Sequence, residues 1–259
     1  MFLGSSFEPY PVEFYVNGQR IRGNLHLPYV GAPCVITLHG LEGNKDSGKW
    51  PIVASRLFSE GYACLRFNFR GCGEGPERSD GLFEDTTLTG RIRDYRAALR
   101  FLWESGKIDA ERIGVIGSSF GGMVAIAARE KRIRAIVLIS TPYVIPSLCE
   151  RKFICEQDTY YELPSGRRLK AKFYEDLKEY NLLEAVREAP PILIIHGSAD
   201  ETVPVDHALK LYENASKPKR IEIIDGADHI FTRAEHLDRA INSAIEWFKK
   251  FLSFKDPKY

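Results

Sequence analysis

The chain has 259 residues, 44% of them hydrophobic and 27% charged, with a formal net charge of +1. This length suits a single α/β enzyme domain with a sizeable core, and the near-neutral balance leaves no electrostatic footprint for nucleic acid or an anionic membrane surface. No apolar run approaches the roughly 20 residues needed to span a bilayer, the opening MFLGSSFEPYP lacks the basic and apolar regions of a signal peptide, and the five scattered cysteines form no C-x-x-C pair, so a cytoplasmic protein with free thiols and no metal site is expected.

The first predicted element is a hairpin over Glu13–Leu27, turning at Asn17-Gly18, a strong two-residue turn signal. Nearly continuous apolar runs follow at Cys34–Leu38, Ala63–Phe67, Ile113–Ile116, Ala135–Ile139, Ile192–Ile195 and Ile221–Ile224. Runs of this kind suit strands buried on both faces of a parallel sheet. Helical patterns alternate with them. Ile92, Tyr95, Leu99 and Leu102 share one face over 91–104, and Leu237, Ile241, Ala244, Phe248 and Leu252 share another near the C-terminus. The expected fold class is therefore α/β, a mostly parallel doubly wound sheet with an antiparallel hairpin at its edge. Between Thr141 and Pro190 the alternation stops, and aromatic residues are mixed with charges. A long interruption after a strand is usually a functional insertion, so 141–190 is expected to be a cap and 1–140 with 191–259 the core. Glutamine occurs only as Gln19 and Gln157 and there are two methionines, a composition that leans toward a thermophile.

The sharpest chemical signal is Gly117-Ser118-Ser119-Phe120-Gly121, which follows the run 113–116 and precedes a helical stretch. It matches G-x-S-x-G, a strand-to-helix turn so tight that the residues two before and two after the nucleophile must be tiny. Ser119 is the candidate nucleophile, and a serine hydroxyl needs a base. In this kind of fold the acid and then the histidine follow late strands. Asp200 stands in the loop after 192–195 and His229 in the loop after 221–224. Asp225 and Asp228 share the histidine's own loop, which makes a side-on contact to its ring difficult, and Asp206 falls in the following helix. His207 and His236 sit on helical segments, His26 lies on the hairpin, and His196 at a strand end suits packing. The oxyanion formed on attack needs backbone donors. Those expected are the N–H of Phe120, next to the nucleophile, and of Leu41, in the loop His39-Gly40-Leu41 after the first core strand.

Together, the strand before His39-Gly40, the GSSFGG elbow, HGSADETVP and GADHIF resemble the α/β-hydrolase superfamily, and HGLEGNKDSGKW followed by LRFNFRGCGEG is similar to its branch of feruloyl esterases and related acyl hydrolases. The likeness covers nearly all of the chain outside 141–190. It implies the same triad Ser119, Asp200 and His229, the same donors Leu41 and Phe120, and a cap over the site; the acyl-enzyme chemistry expected of these groups requires no cofactor.

Two glycine-rich stretches are decoys. Gly43 to Lys49 reads as most of a P-loop, but Trp50 replaces the magnesium-binding Ser or Thr. Gly71 to Pro76 resembles a dinucleotide loop with Pro76 where the last glycine belongs. The expected activity is hydrolysis of small to medium acyl esters through an acyl-enzyme. An acyl-CoA thioesterase and a peptidase use the same machinery, though with about 30 residues before the first core strand no N-terminal propeller of the related peptidases fits. A non-catalytic binding member of the fold would have lost the triad. The basic residues Arg151, Lys152, Arg167, Arg168, Lys170 and Lys172 of the insert suit either a solvated surface or the phosphates of a coenzyme A leaving group. A homo-oligomer is compatible with the sequence and not specified by it.

Overall fold

The computed structural model describes residues 7–145, 151–155 and 158–253. The chain opens with strands β1 (Tyr10–Val16) and β2 (Gln19–His26), paired antiparallel from Tyr10 opposite Leu25 to Val16 opposite Gln19. Asn17 and Gly18 make the turn with φ of 50° and 77°, the left-handed pair that a two-residue hairpin requires. Then come β3 (Ala32–Leu38), α1 (Trp50–Ser59), β4 (Ala63–Phe67), α2 (Leu88–Ser105), β5 (Ile108–Ser118), α3 (Phe120–Ala127) and β6 (Ile133–Ile139). Three short strands follow, β7 (Arg151–Cys155), β8 (Asp158–Glu162) and β9 (Arg168–Lys170), with helices α4 (Lys172–Leu177) and α5 (Leu182–Ala185). The chain closes with β10 (Ile192–Gly197), α6 (Asp206–Asn214), β11 (Lys219–Ile224) and α7 (Ala234–Leu252).

The main sheet has eight strands in the order β1-β2-β4-β3-β5-β6-β10-β11. The hairpin pairs antiparallel with β4, and every pairing from β4 to β11 is parallel. This is the α/β-hydrolase fold. Side-chain alternation along the central strands divides the interior in two. Cys34, Ile36 and Leu38 of β3 and Ile192 and Ile194 of β10 face one core with α2, α3 and α6. Val35, Leu193 and Ile195 face the other, beneath α1 and α7. A sheet buried on both faces cannot show a polar period of two, which is why these strands read as solid apolar runs. Helix α2 starts where the Thr87 hydroxyl accepts the Gly90 N–H at 2.9 Å and stops at Gly106, φ 61°, a side-chain cap at one end and a left-handed glycine at the other.

Strands β7, β8 and β9 form a separate antiparallel sheet in that order. The rest of the interval returns to the core. Phe173 of α4 is fully buried with its ring 5.5 Å from that of Phe120, and α5 packs on α3 and α6. No helix among the described residues is long and apolar enough to cross a membrane.

Candidate active site

Ser119 occupies the turn between β5 and α3 with φ 53° and ψ −123°, a strained conformation for a residue with a Cβ. The surroundings hold it there. Its N–H donates to the Ile139 carbonyl at 2.8 Å, and its carbonyl accepts the Gly122 N–H at 2.9 Å. A methyl group at Gly121 would collide with the Leu38 carbonyl, and one at Gly122 with the Thr141 side chain. These contacts let α3 lie close against the ends of β3 and β6. They put the serine at a helix N-terminus, where developing negative charge is favoured.

Asp200 and His229 come from different loops and meet. His229 Nδ1 lies 2.8 Å from Asp200 Oδ2. The carboxylate also receives the N–H groups of Thr202 at 3.0 Å and Val203 at 2.8 Å on its other oxygen. Burial alone would raise the Asp200 pKa, but hydrogen bonds from His196, His229 and the Val203 N–H outweigh it and hold the carboxyl well below the usual range. The rival acids are engaged elsewhere: Asp225 accepts from the Ser198 hydroxyl at 2.9 Å and Asp228 from the Thr232 N–H at 2.9 Å.

His196, expected only to pack, has its Nε2 3.3 Å from Asp200 Oδ2 and 2.8 Å from the Val203 carbonyl. No local signal marks it, because the contact depends on how the loop after β10 turns back over the strand end. Lys49, the lysine of the P-loop decoy, was also missed. Its Nζ is buried and donates to the Ser118 hydroxyl at 3.1 Å, one residue from Ser119. Burial lowers its pKa to about 8, while the charges of Asp228 and Asp200 act in the opposite sense.

Gly40 is close to the serine, since a methyl group on it would stand 3.5 Å from Ser119 Cβ. Gly40, Leu41, Ser119, Phe120 and His229 all line one cavity of about 840 Å³. Most of the remaining wall is apolar, from Trp50, Ile145, Leu163, Pro164, Val203 and Phe231 among others. Apolar walls around a few convergent polar groups are the usual make-up of a small-molecule site.

Among the described side chains, Lys152, Arg167, Arg168, Lys170 and Lys172 are not on the cavity wall, though Arg167 Nη1 donates to the carbonyl of Glu42, a wall residue, at 3.4 Å. Arg168 pairs with Glu84 at 3.0 Å, Lys170 with Asp85 at 3.2 Å and Asp158 at 3.1 Å, and Lys172 with Asp85 at 2.7 Å. Arg167 lies over the Phe83 ring, and Lys152 is exposed beside Tyr161. The Arg151 side chain is outside the described part of the structure. Of the two readings of these cations, the pairings of Arg168, Lys170 and Lys172 accord with the solvated surface. The core presents Glu84 and Asp85 to the insert, and Arg168, Lys170 and Lys172 pair with these carboxylates.

A model of the prolyl oligopeptidase family matches residues 52–255. Among curated proteins the chain is 29% identical to YfhR of Escherichia coli O157:H7 over 202 residues, 76% of this chain but only 62% of that protein. It is 25% identical to the putative esterase YitV of Bacillus subtilis (strain 168), covering 85% of this chain and 89% of that one. Among solved structures, the esterase domain of a Rhodothermus marinus protein superposes with a TM-score of 0.76 at 26% identity, over 95% of this chain and all of that domain. Est1E from Butyrivibrio proteoclasticus, solved with ferulic acid bound, superposes with a TM-score of 0.78 over 93% of this chain and 98% of that one. At 22% identity that likeness speaks for the fold alone.

Proposed function

The chain belongs to the prolyl oligopeptidase family of α/β hydrolases, and on that premise we propose that it is a serine carboxylic-ester hydrolase working through an acyl-enzyme. The observation that carries this reading is the pairing of His229 with Asp200 at 2.8 Å, with His229 and a strained Ser119 lining the same largely apolar cavity. His229 takes the proton of Ser119 as the hydroxyl attacks the ester carbonyl. The negative charge formed on the carbonyl oxygen is received by the Leu41 and Phe120 N–H groups, the alcohol leaves with a proton returned by His229, and water repeats the sequence to release the acid. Asp200 holds the ring in the tautomer with its proton on Nδ1 and stabilises the imidazolium. The apolar wall suits an acyl chain of small to medium size, and the insert 141–190 acts as a cap, with Leu163 and Pro164 on the cavity wall.

The family assignment also favours a second reading, cleavage of a short peptide or aminoacyl amide by the same groups. The discriminating measurement is a panel of p-nitrophenyl esters, aminoacyl p-nitroanilides and acyl thioesters. Ester turnover is expected to exceed the other two. Ser119→Ala should lower it at least a thousandfold, and a fluorophosphonate should label Ser119 and not Ser118. Activity within tenfold of wild type in Ser119→Ala would overturn the assignment.

A further inference from the structure

Arg91 stands in the first turn of α2 and is 2% exposed. A buried guanidinium is costly unless it is paired, yet no carboxylate among the described residues forms an ion pair with it. Asp94, three residues along the helix, is held by Arg70 at 2.6 Å. Arg91 spends its donors on backbone instead: Nη1 on the Gly40 carbonyl at 3.0 Å and Nη2 on the Leu41 carbonyl at 2.5 Å, with Cys72 Sγ 3.5 Å from Nη2. Its charge lies 4.8 Å from the centre of the Phe69 ring and 5.0 Å from that of Phe120. One side chain thus touches both residues proposed to receive the oxyanion.

The Gly40 carbonyl is held from further directions. His39 Nε2 accepts the Phe69 N–H at 3.2 Å, which leaves the ring proton on Nδ1, and Nδ1 donates to Gly40 at 2.8 Å. Burial, assisted by the Arg91 charge, lowers the His39 pKa to about 3 and keeps this ring neutral. The Gly43 N–H reaches the same oxygen at 3.3 Å. In a planar trans peptide the N–H points opposite to the C=O. Pinning the Gly40 carbonyl toward Arg91 therefore turns the Leu41 N–H the other way, and that N–H has no acceptor among the described residues.

We propose that Arg91 is the positioning residue of the oxyanion hole, holding two successive peptide planes of the loop after β3 so that the Leu41 N–H is presented beside Ser119. This rests on the hydrolase reading above. The residue acts through the backbone and does not touch substrate, so its loss should weaken binding of the transition state and leave ground-state binding nearly intact.

The test uses the full chain with Arg91→Lys and Arg91→Met. Lysine keeps the charge and most of the bulk but cannot span two carbonyls as a fork, so it decides the matter if the methionine variant does not fold by circular dichroism. The substrate is p-nitrophenyl butyrate, and the probe is an aryl trifluoromethyl ketone, whose adduct on Ser119 carries an oxyanion. Deleting an oxyanion donor outright costs on the order of 10²- to 10³-fold in kcat, and a displaced donor is expected to cost about 10- to 100-fold with KM changed less than about threefold. The ketone inhibition constant should rise by the same factor as kcat/KM falls. Arg91→Lys with kcat within twofold of wild type overturns the proposal, and so does a fall in kcat with unchanged ketone affinity. In either case a Ser119-dependent wild-type activity leaves the hydrolase reading standing. A wild type inert toward the ester, or a Ser119→Ala variant that still turns over, removes both.

Discussion

Asp200 accepts from Thr202, Val203 and His229, with the His196 ring nitrogen also 3.3 Å away, which accounts for a buried carboxylate that stays ionised. Its identity as the acid is tested against Asp225, which sits in the loop of His229 and bonds Ser198 instead. Asp200→Asn is expected to lower kcat roughly 10²- to 10⁴-fold by removing the charge and the tautomer preference it imposes. Asp225→Asn should stay within about fivefold of wild type. Steady-state kinetics on one ester checks both, and a larger loss in Asp225→Asn would reverse the assignment. The place of Asp200 after a late strand was legible in the sequence. The approach of His196 was not, because it depends on the loop 198–203 curling back over the strand end, and no local pattern encodes that curl.

At the scale of elements, the strained conformation of Ser119 depends on how closely α3 can approach the sheet. The glycines that permit this are distinguishable from those that only make turns. A Cβ on Gly121 would meet the backbone of Leu38 and His39, which cannot move without disturbing β3 and the loop after it. A Cβ on Gly18 would meet nothing within 4 Å and would suffer only from its φ of 77°. Gly121→Ala is therefore expected to destabilise by at least about 2 kcal/mol, in the range of overpacked cores, and to lose ester activity. Gly18→Ala should cost about 1 kcal/mol, typical of left-handed strain, with activity retained. Urea denaturation with a parallel activity assay compares the two. Equal costs would mean that helix approach is not what Gly121 provides.

Across the whole molecule, buried bases contribute to the pH dependence of stability. Burial lowers His26 to about 4, with the Arg66 charge adding to the effect, and lowers His39 to about 3, against an ordinary value of 6.5. At these two positions the unfolded chain therefore binds more protons than the folded one between about pH 3 and 6.5. The contribution of these two residues is complete above 6.5 and is lost as pH falls through 4 and 3. Lys49 behaves in the same sense at higher pH, its value lowered by burial from 10.5 to about 8. Holding that ammonium protonated in the core costs stability below pH 8, and the cost disappears as pH rises to 10.5. Lys49→Met should thus gain stability over wild type at pH 7, and the gain should shrink by up to about 3 kcal/mol between pH 8 and 10.5. Denaturant midpoints across that range check it. A pH-independent difference would mean that the ammonium is better solvated than its burial implies.

What the sequence by itself determined is what depends on neighbours along the chain. The solid apolar runs specify strands covered on both faces, Asn17-Gly18 specifies the hairpin, and a serine flanked two residues away by glycines specifies a tight turn from strand to helix. Because parallel strands put their C-terminal loops on one edge of the sheet, chain order alone also pointed to Ser119, Asp200 and His229 as residues that meet. What only the tertiary structure decided is the partner of each charge. Arg91, on a helix read for its apolar face, is buried against the loop after β3, and Lys49, within a false nucleotide motif, is buried against Ser118. Arg168, Lys170 and Lys172 of the insert pair with Glu84 and Asp85, residues on the far side of the elbow in sequence. Charge acts through space and depends on burial, neither of which a linear spacing records, so the fold was written locally and the electrostatics of the site were settled by packing.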